Sequence, residues 1–281
     1  MDAQALCPDV ESRTGIPRII HQTYFTHDFP ASIKANVDRI RATNPTWEYR
    51  FYDDESIFLF IQEAYGQEIL KRYLQINPRY GAARADLFRY LLLYKTGGVY
   101  LDIKSTTTSS LDSVLKSDDQ FVLSHWRNRQ GERYAGWGMH PKLTLNERGE
   151  FQQWHIIAAP GHPFLKAVIM LALDRIDSYK TFKHGVGYFG VLHTTGPICY
   201  TQAILPLIRQ YQCRILDGHE ALGLEYAPKD GNEWTHRRTA ARPHYSRLRE
   251  PVVVRTLPQK LLVRASRAWD ARFWHRSNQY L

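Results

Sequence analysis

The stretch GAARADLFRYLLLYKTGGVYLDIKS, residues 81–105, decides the fold. Over 81–96, Leu87, Tyr90 or Leu91, and Tyr94 recur at helical spacing, which predicts a helix, and Gly97 can take the left-handed stop position. VYLDI then reads as a short buried strand that delivers one carboxylate, Asp102. Two positions on, where a second acid would be expected, stands Lys104.

The flanking sequence repeats this alternation. PRIIHQ (17–22) reads as a short buried strand with Pro17 at its first position. Ile33, Val37 and Ile40 define an amphipathic helix over 30–41, EYRFYD (48–53) alternates as a strand, and DDESIFLFIQEAYG opens a helix with acids in its first turn. Downstream, SLDSVL starts a short helix with Ser110 as its cap, and QFVLSHW (120–126) is the next strand. The second half is less regular. It holds a strand, a Pro/Gly turn and a long helix in WHIIAAPGHPFLKAVIMLALDRI, a further helix after HTTGP, and a late edge strand at PVVV (251–254). The order predicts an α/β fold with a mostly parallel central sheet flanked by helices.

With 281 residues and 43% apolar content the chain can bury a large core, which excludes a disordered protein. Cys7, Cys199 and Cys213 are odd in number, scattered and without CxxC spacing, so they form neither a zinc site nor a disulfide framework and fit a reducing compartment. The opening MDAQALCPDVESRTG is polar and acidic, with no secretion-signal pattern, and no stretch approaches the roughly 20 apolar residues that span a bilayer. A soluble cytoplasmic protein is expected. Net charge is +9, and between Arg237 and Arg276 lie eleven Arg or Lys against two acids, Glu250 and Asp270. Such a segment suits nucleic acid, an anionic membrane or a phosphorylated substrate, or is simply a solvated basic face. Trp269, Phe273 and Trp274 interleave with it and no nucleic-acid motif is present, which favours contact with the inner face of an anionic membrane.

In open α/β sheets ligands sit beyond the carboxyl ends of the strands, where Asp102 lies. A carboxylate there holds a divalent cation or a sugar hydroxyl, or merely caps a turn. Asp86 and Arg89 share one face of the preceding helix. They are either an i, i+3 ion pair worth a few tenths of a kcal/mol or the two halves of a site for hydroxyls and phosphate.

IPRIIHQTYF, NPTWEYRFYDDE, ARADLFRYLLLYKTGGVYLDIKS, AAPGHPFL and TTGP, in that order over about residues 16–200, resemble the successive motifs of glycosyltransferase family 32. The resemblance implies a GT-A fold, a UDP- or GDP-linked sugar donor, a glycan or lipid-linked acceptor, and transfer of a hexose with retention in polysaccharide or glycolipid synthesis. It also implies that Asp86 bonds donor sugar hydroxyls, Arg89 contacts the diphosphate, Asp102 is the first acid of the DXD motif, and Tyr24 lies near the nucleobase where relatives place Trp. Domains follow as 1–15 extension, 16–255 catalytic and 256–281 basic helical segment.

Lys104 is the departure, because the family's second acid there binds Mn²⁺ or Mg²⁺. An ammonium beside a dication costs several kcal/mol in a poorly solvated site. Either Lys104 itself stabilises the diphosphate leaving group, with Asp102 and Lys104 as the catalytic pair, or it points away and Asp102 binds metal with a later residue such as His244 or His193. Trp137, Trp154 and Trp234 are candidates to stack on acceptor sugars, as well as for the core. The rival readings are a catalytically degenerate family member and a basic membrane- or nucleic-acid-binding module.

Overall fold

The computed structural model describes residues 7–226, 229–230, 233–234 and 245–254. In chain order the main elements are β1 (Ile19–Thr23), α1 (Ala31–Thr43), β2 (Glu48–Tyr52), α2 (Asp54–Gln75), α3 (Gly81–Thr96), β3 (Gly98–Leu101), β4 (Thr106–Thr107), α4 (Leu111–Val114), β5 (Phe121–Ser124), β6 (His155–Ala158), α5 (Pro163–Asp177), α6 (Thr181–His184), α7 (Gly187–Thr194), α8 (Pro197–Ile204), β7 (Arg214–Leu216) and β8 (Leu224–Glu225). The main sheet runs β2-β1-β3-β6-β5-β7. Pairings β1–β2, β1–β3 and β5–β7 are parallel, whereas β6 lies antiparallel between β3 and β5. The expected α/β layering is therefore present, with one reversed strand in a mostly parallel sheet.

Local chemistry explains the junction that places Asp102. Gly97 ends α3 with φ 65° and ψ −169° rather than in the left-handed helical region, a mirror-extended conformation essentially reserved for glycine. A Cβ there would sit 2.6 Å from Pro160 Cδ, and one on Gly98 (φ 106°) 2.7 Å from the Ile19 carbonyl. The pair thus lets the chain leave the helix and enter β3 in direct contact with β1. Asp53 starts α2 with the expected acid signal, its carboxylate accepting from the Ser56 N–H at 2.8 Å.

The α3 helix is enclosed on all sides rather than on one face: Leu87, Phe88 and Tyr90 to Leu93 are all fully buried. A central helix has no solvent face, so its charged residues Asp86 and Arg89 must be paired inside. Residues 7–13 lie against this body, with Cys7 buried, the Val10 N–H on the Tyr94 hydroxyl at 3.4 Å and Lys166 paired to Asp9. PVVV is not an edge strand. Val253 makes an isolated bridge to Ile76, and the Val254 N–H caps the Gln75 carbonyl at 2.8 Å, so this segment satisfies the end of α2 instead of extending the sheet. No helix among the described residues is long and apolar enough to cross a membrane. The segment 256–281 lies outside the described residues.

Buried histidines make stability pH-dependent. Burial holds His21, His162 and His219 at about 4, below the ordinary 6.5. Unfolding releases them, so below about 6.5 the unfolded chain takes up protons that the folded chain refuses. Stability is full above that point and declines as pH falls toward 4. Urea denaturation should show at least about 2 kcal/mol less stability at pH 5 than at pH 7; equal or higher stability at the lower pH would contradict neutral burial.

Candidate active site

The turn after β3 is fixed by backbone bonds that leave the Asp102 carboxylate free to project. Its N–H donates to the Trp154 carbonyl at 2.8 Å, and its carbonyl accepts from Ser105 N–H (2.9 Å), Ser105 Oγ (2.6 Å) and Gln22 Nε2 (3.2 Å). From α3, Arg89 Nη2 reaches Asp102 Oδ1 at 3.0 Å and Asp86 Oδ1 at 3.3 Å. One guanidinium therefore ties the two carboxylates together.

Each Arg89 nitrogen faces a protein oxygen. Nη1 donates to the Gln153 carbonyl (2.6 Å) and Oε1 (2.9 Å), Nε to the Ala85 carbonyl (3.3 Å), and the group stacks 4.5 Å from the Tyr100 ring centre. Burial works against its charge, and Asp102, Tyr100 and Asp86 more than restore it. In this arrangement Arg89 lines the cleft and holds the two carboxylates together. Asp86 is buried and also accepts from Thr195 Oγ1 at 3.0 Å and Gln153 Nε2 at 3.1 Å. Burial raises its proton affinity against the pull of Arg89 and Gln153. This is far from a solvated i, i+3 pair: removing one member of such a buried set typically costs about 3–5 kcal/mol.

Lys104 points into the same cleft. Its Nζ donates to the Tyr226 hydroxyl at 2.7 Å and lies 4.5 Å from that ring's centre. Burial disfavours the ammonium, but Tyr226 and Asp102 outweigh it and hold its pKa above the ordinary lysine value. The cleft has a volume of about 520 Å³, within the usual range for small-molecule sites. Asp86, Arg89, Asp102 and Lys104 form one wall, while Trp126, Trp137, Trp154 and Tyr226 supply ring surface. A roomier depression of about 640 Å³, lined by residues 9–17 with Lys95, Thr96 and Pro160, sits at the amino end of β3, where strand topology places no ligand.

Several lining residues carried no sequence signal. Glu150 is buried, its two oxygens accepting from Trp126 Nε1 and bonded to His140 Nε2, each at 2.8 Å. Gln153 joins Asp86, Arg89 and Tyr90. Thr195 belongs to the quoted TTGP motif without an assigned role. Of the expected site residues, Tyr24 follows β1 at the same end of the sheet and meets the Phe25 and Phe29 rings at tilted angles, outside the cleft lining. His193 is also off the lining. His244 and the Trp234 side chain lie outside the described residues.

A divalent cation does not fit these residues. The second acid is an ammonium, Asp102 Oδ1 is already paired with Arg89, and no group of three His, Cys, Asp or Glu that could hold a metal occurs among the described residues.

The cleft thus opens beyond the carboxyl ends of parallel strands in an α/β sheet, the place where such folds bind ligands. Residues 30–121 match the family described as a glycosyltransferase sugar-binding region containing a DXD motif. The initiation-specific alpha-1,6-mannosyltransferase of Schizosaccharomyces pombe is 28% identical over 208 residues, 70% of this chain and 50% of that protein. Inositol phosphoceramide mannosyltransferase 3 of the same yeast is 31% identical over 185 residues, 65% of this chain and 43% of its own length. The chain thus spans about half the length of these curated relatives. Among solved structures, the UDP-bound glycosyltransferase domain of the YGT toxin aligns over 72% of this chain and 80% of that one at 9% identity, with a TM-score of 0.47, too loose a likeness to build on.

Proposed function

We propose that the chain transfers a hexosyl group, with retention, from a nucleotide sugar to a hydroxyl of a glycan or lipid-linked acceptor. The observation that carries this reading is the joining of Asp86 and Asp102 through Arg89 on a cleft wall that also holds the Lys104 ammonium. Fixed carboxylates bind sugar hydroxyls through charge-assisted hydrogen bonds, and a fixed cation opposes charge growing on a leaving diphosphate. Similarity to mannosyltransferases makes GDP-mannose the donor of first choice, ahead of UDP-hexoses.

In the proposed reaction the bond from the sugar C1 to the phosphate oxygen breaks with its electron pair going to the diphosphate. The acceptor oxygen forms the new bond to C1 from the same face, and its proton passes to the departing phosphate. Lys104 neutralises that phosphate, Asp86 and Asp102 hold the sugar, and Tyr24 lies near the nucleobase. No step is routed through a metal ion, since the residue set does not suit one.

The test is incubation of the purified chain with GDP-mannose and UDP-hexoses, with and without EDTA. Donor turnover should persist in EDTA within about twofold, and the first-formed sugar product should carry the donor's anomeric configuration by NMR. Turnover abolished by EDTA contradicts the role of Lys104; saturable donor binding without turnover identifies a degenerate family member; absence of nucleotide-sugar binding overturns the reading.

A further inference from the structure

Large apolar side chains scattered singly on a surface need no explanation, but a cluster does. Among the described residues the exposed ones are Trp137 (42%), Met139 (50%), Leu145 (94%), Phe182 (86%), Tyr188 (42%), Phe189 (62%), Tyr211 and Ile215. The first six fall in two short segments, 137–145 and 182–189. These converge: Trp137, Met139 and Tyr188 all line the mouth of the 520 Å³ cleft. Leu143 packs with Leu192 and Ile198, and Gln202 Nε2 donates to the Lys142 carbonyl at 2.9 Å, so the turn at Pro141–Leu143 is seated on α7 and α8. Two segments that carry exposed apolar side chains thus reach the cleft through Trp137, Met139 and Tyr188.

The rim these segments form is also cationic. Lys142, Lys180 and Lys183 are exposed, and neither 137–145 nor 179–196 contains Asp or Glu. His193, half-buried beside the rim, is held at about 4, first by burial and then by Lys142 and Arg175. Aromatic and aliphatic side chains that reach out beside lysines match a bilayer interface, where rings enter the headgroup region and ammonium groups meet anionic lipids.

We propose that the rim formed by residues 137–145 and 180–189 docks on an anionic phospholipid bilayer, with the cleft mouth facing the lipid. Resting on the transferase reading, this gives the acceptor class: a hydroxyl-bearing headgroup held in the membrane, brought to the donor without leaving the bilayer.

The experiment uses the full chain, co-sedimented with vesicles of phosphatidylcholine plus phosphatidylserine and with phosphatidylcholine alone, beside the variants Leu145→Ser/Phe182→Ser/Phe189→Ser and Lys180→Gln/Lys183→Gln. None of these residues lines the cleft, so binding of GDP-mannose should be unchanged. Wild type should favour anionic vesicles, and the triple variant should partition at least about tenfold less. Equal partitioning of wild type and triple variant overturns the proposal and assigns membrane contact elsewhere, and no vesicle binding by wild type also overturns it. A wild-type dimer that the triple variant dissociates, read by light scattering without lipid, assigns the rim to a second copy of the chain. Rim-dependent vesicle binding without nucleotide-sugar binding leaves the docking intact and overturns the transferase reading alone.

Discussion

Replacing Asp102 by Asn lowers kcat/KM for sugar transfer by two to four orders of magnitude while the protein stays folded. A carboxylate that accepts from two donor hydroxyls loses two charge-assisted hydrogen bonds, each worth about 1.5–3 kcal/mol, and the sum of about 3–6 kcal/mol corresponds to roughly 10²–10⁴ in rate. The amide can still accept from Arg89, and the Asp102 side chain is about a quarter exposed, so the thermal midpoint should move little. Asp86 behaves differently. Asp86→Ala strips partners from Arg89, Gln153 and Thr195 inside the core and should cost about 3–5 kcal/mol of stability along with activity. Steady-state kinetics with urea titrations on both variants separates the cases; an Asp102→Asn protein with wild-type kcat/KM removes that carboxylate from the site.

The second large effect is at Lys104. Lys104→Met keeps the stem and removes the ammonium, so the leaving diphosphate loses its cation, with an expected fall in kcat of about 10²–10³. The Tyr226 hydroxyl loses its donor too, which should weaken nucleoside diphosphate binding only modestly. Lys104→Asp recreates paired acids with Asp102 and should regain part of the lost rate on addition of Mn²⁺, with that gain abolished by EDTA. Kinetics in chelator and in Mn²⁺ reads both variants. A Lys104→Met enzyme as fast as wild type shows that the ammonium does not act on the diphosphate.

The reason Asp86, Arg89 and Asp102 were legible together is local. Helix, stop and strand occupy one continuous stretch, so spacing alone brings the three groups near one end of the sheet. The direction of Lys104 was not legible, because it is set by Tyr226, 122 positions away. Gln153, Glu150 and Trp126 come from the long excursion between β5 and β6, whose contacts follow no period. The reversal of β6 escaped for a related reason: HIIA is apolar throughout and reads alike in either direction. PVVV looked like a strand by composition, yet its Val254 N–H went to the Gln75 carbonyl at the end of α2 and its Val252 N–H to the Tyr179 hydroxyl. The full set of partners around Arg89 was not legible either, because Gln153 lies 64 positions away.

The most direct measurement is a crystal structure of the chain with GDP or UDP, grown in the presence of Mn²⁺. The expected result places the diphosphate in the cleft beside Asp102, with Lys104 Nζ in hydrogen-bond contact with a β-phosphate oxygen and no ion between them. A manganese ion bound to Asp102 with Lys104 turned out of the cleft, or a nucleotide seated elsewhere on the molecule, would contradict it.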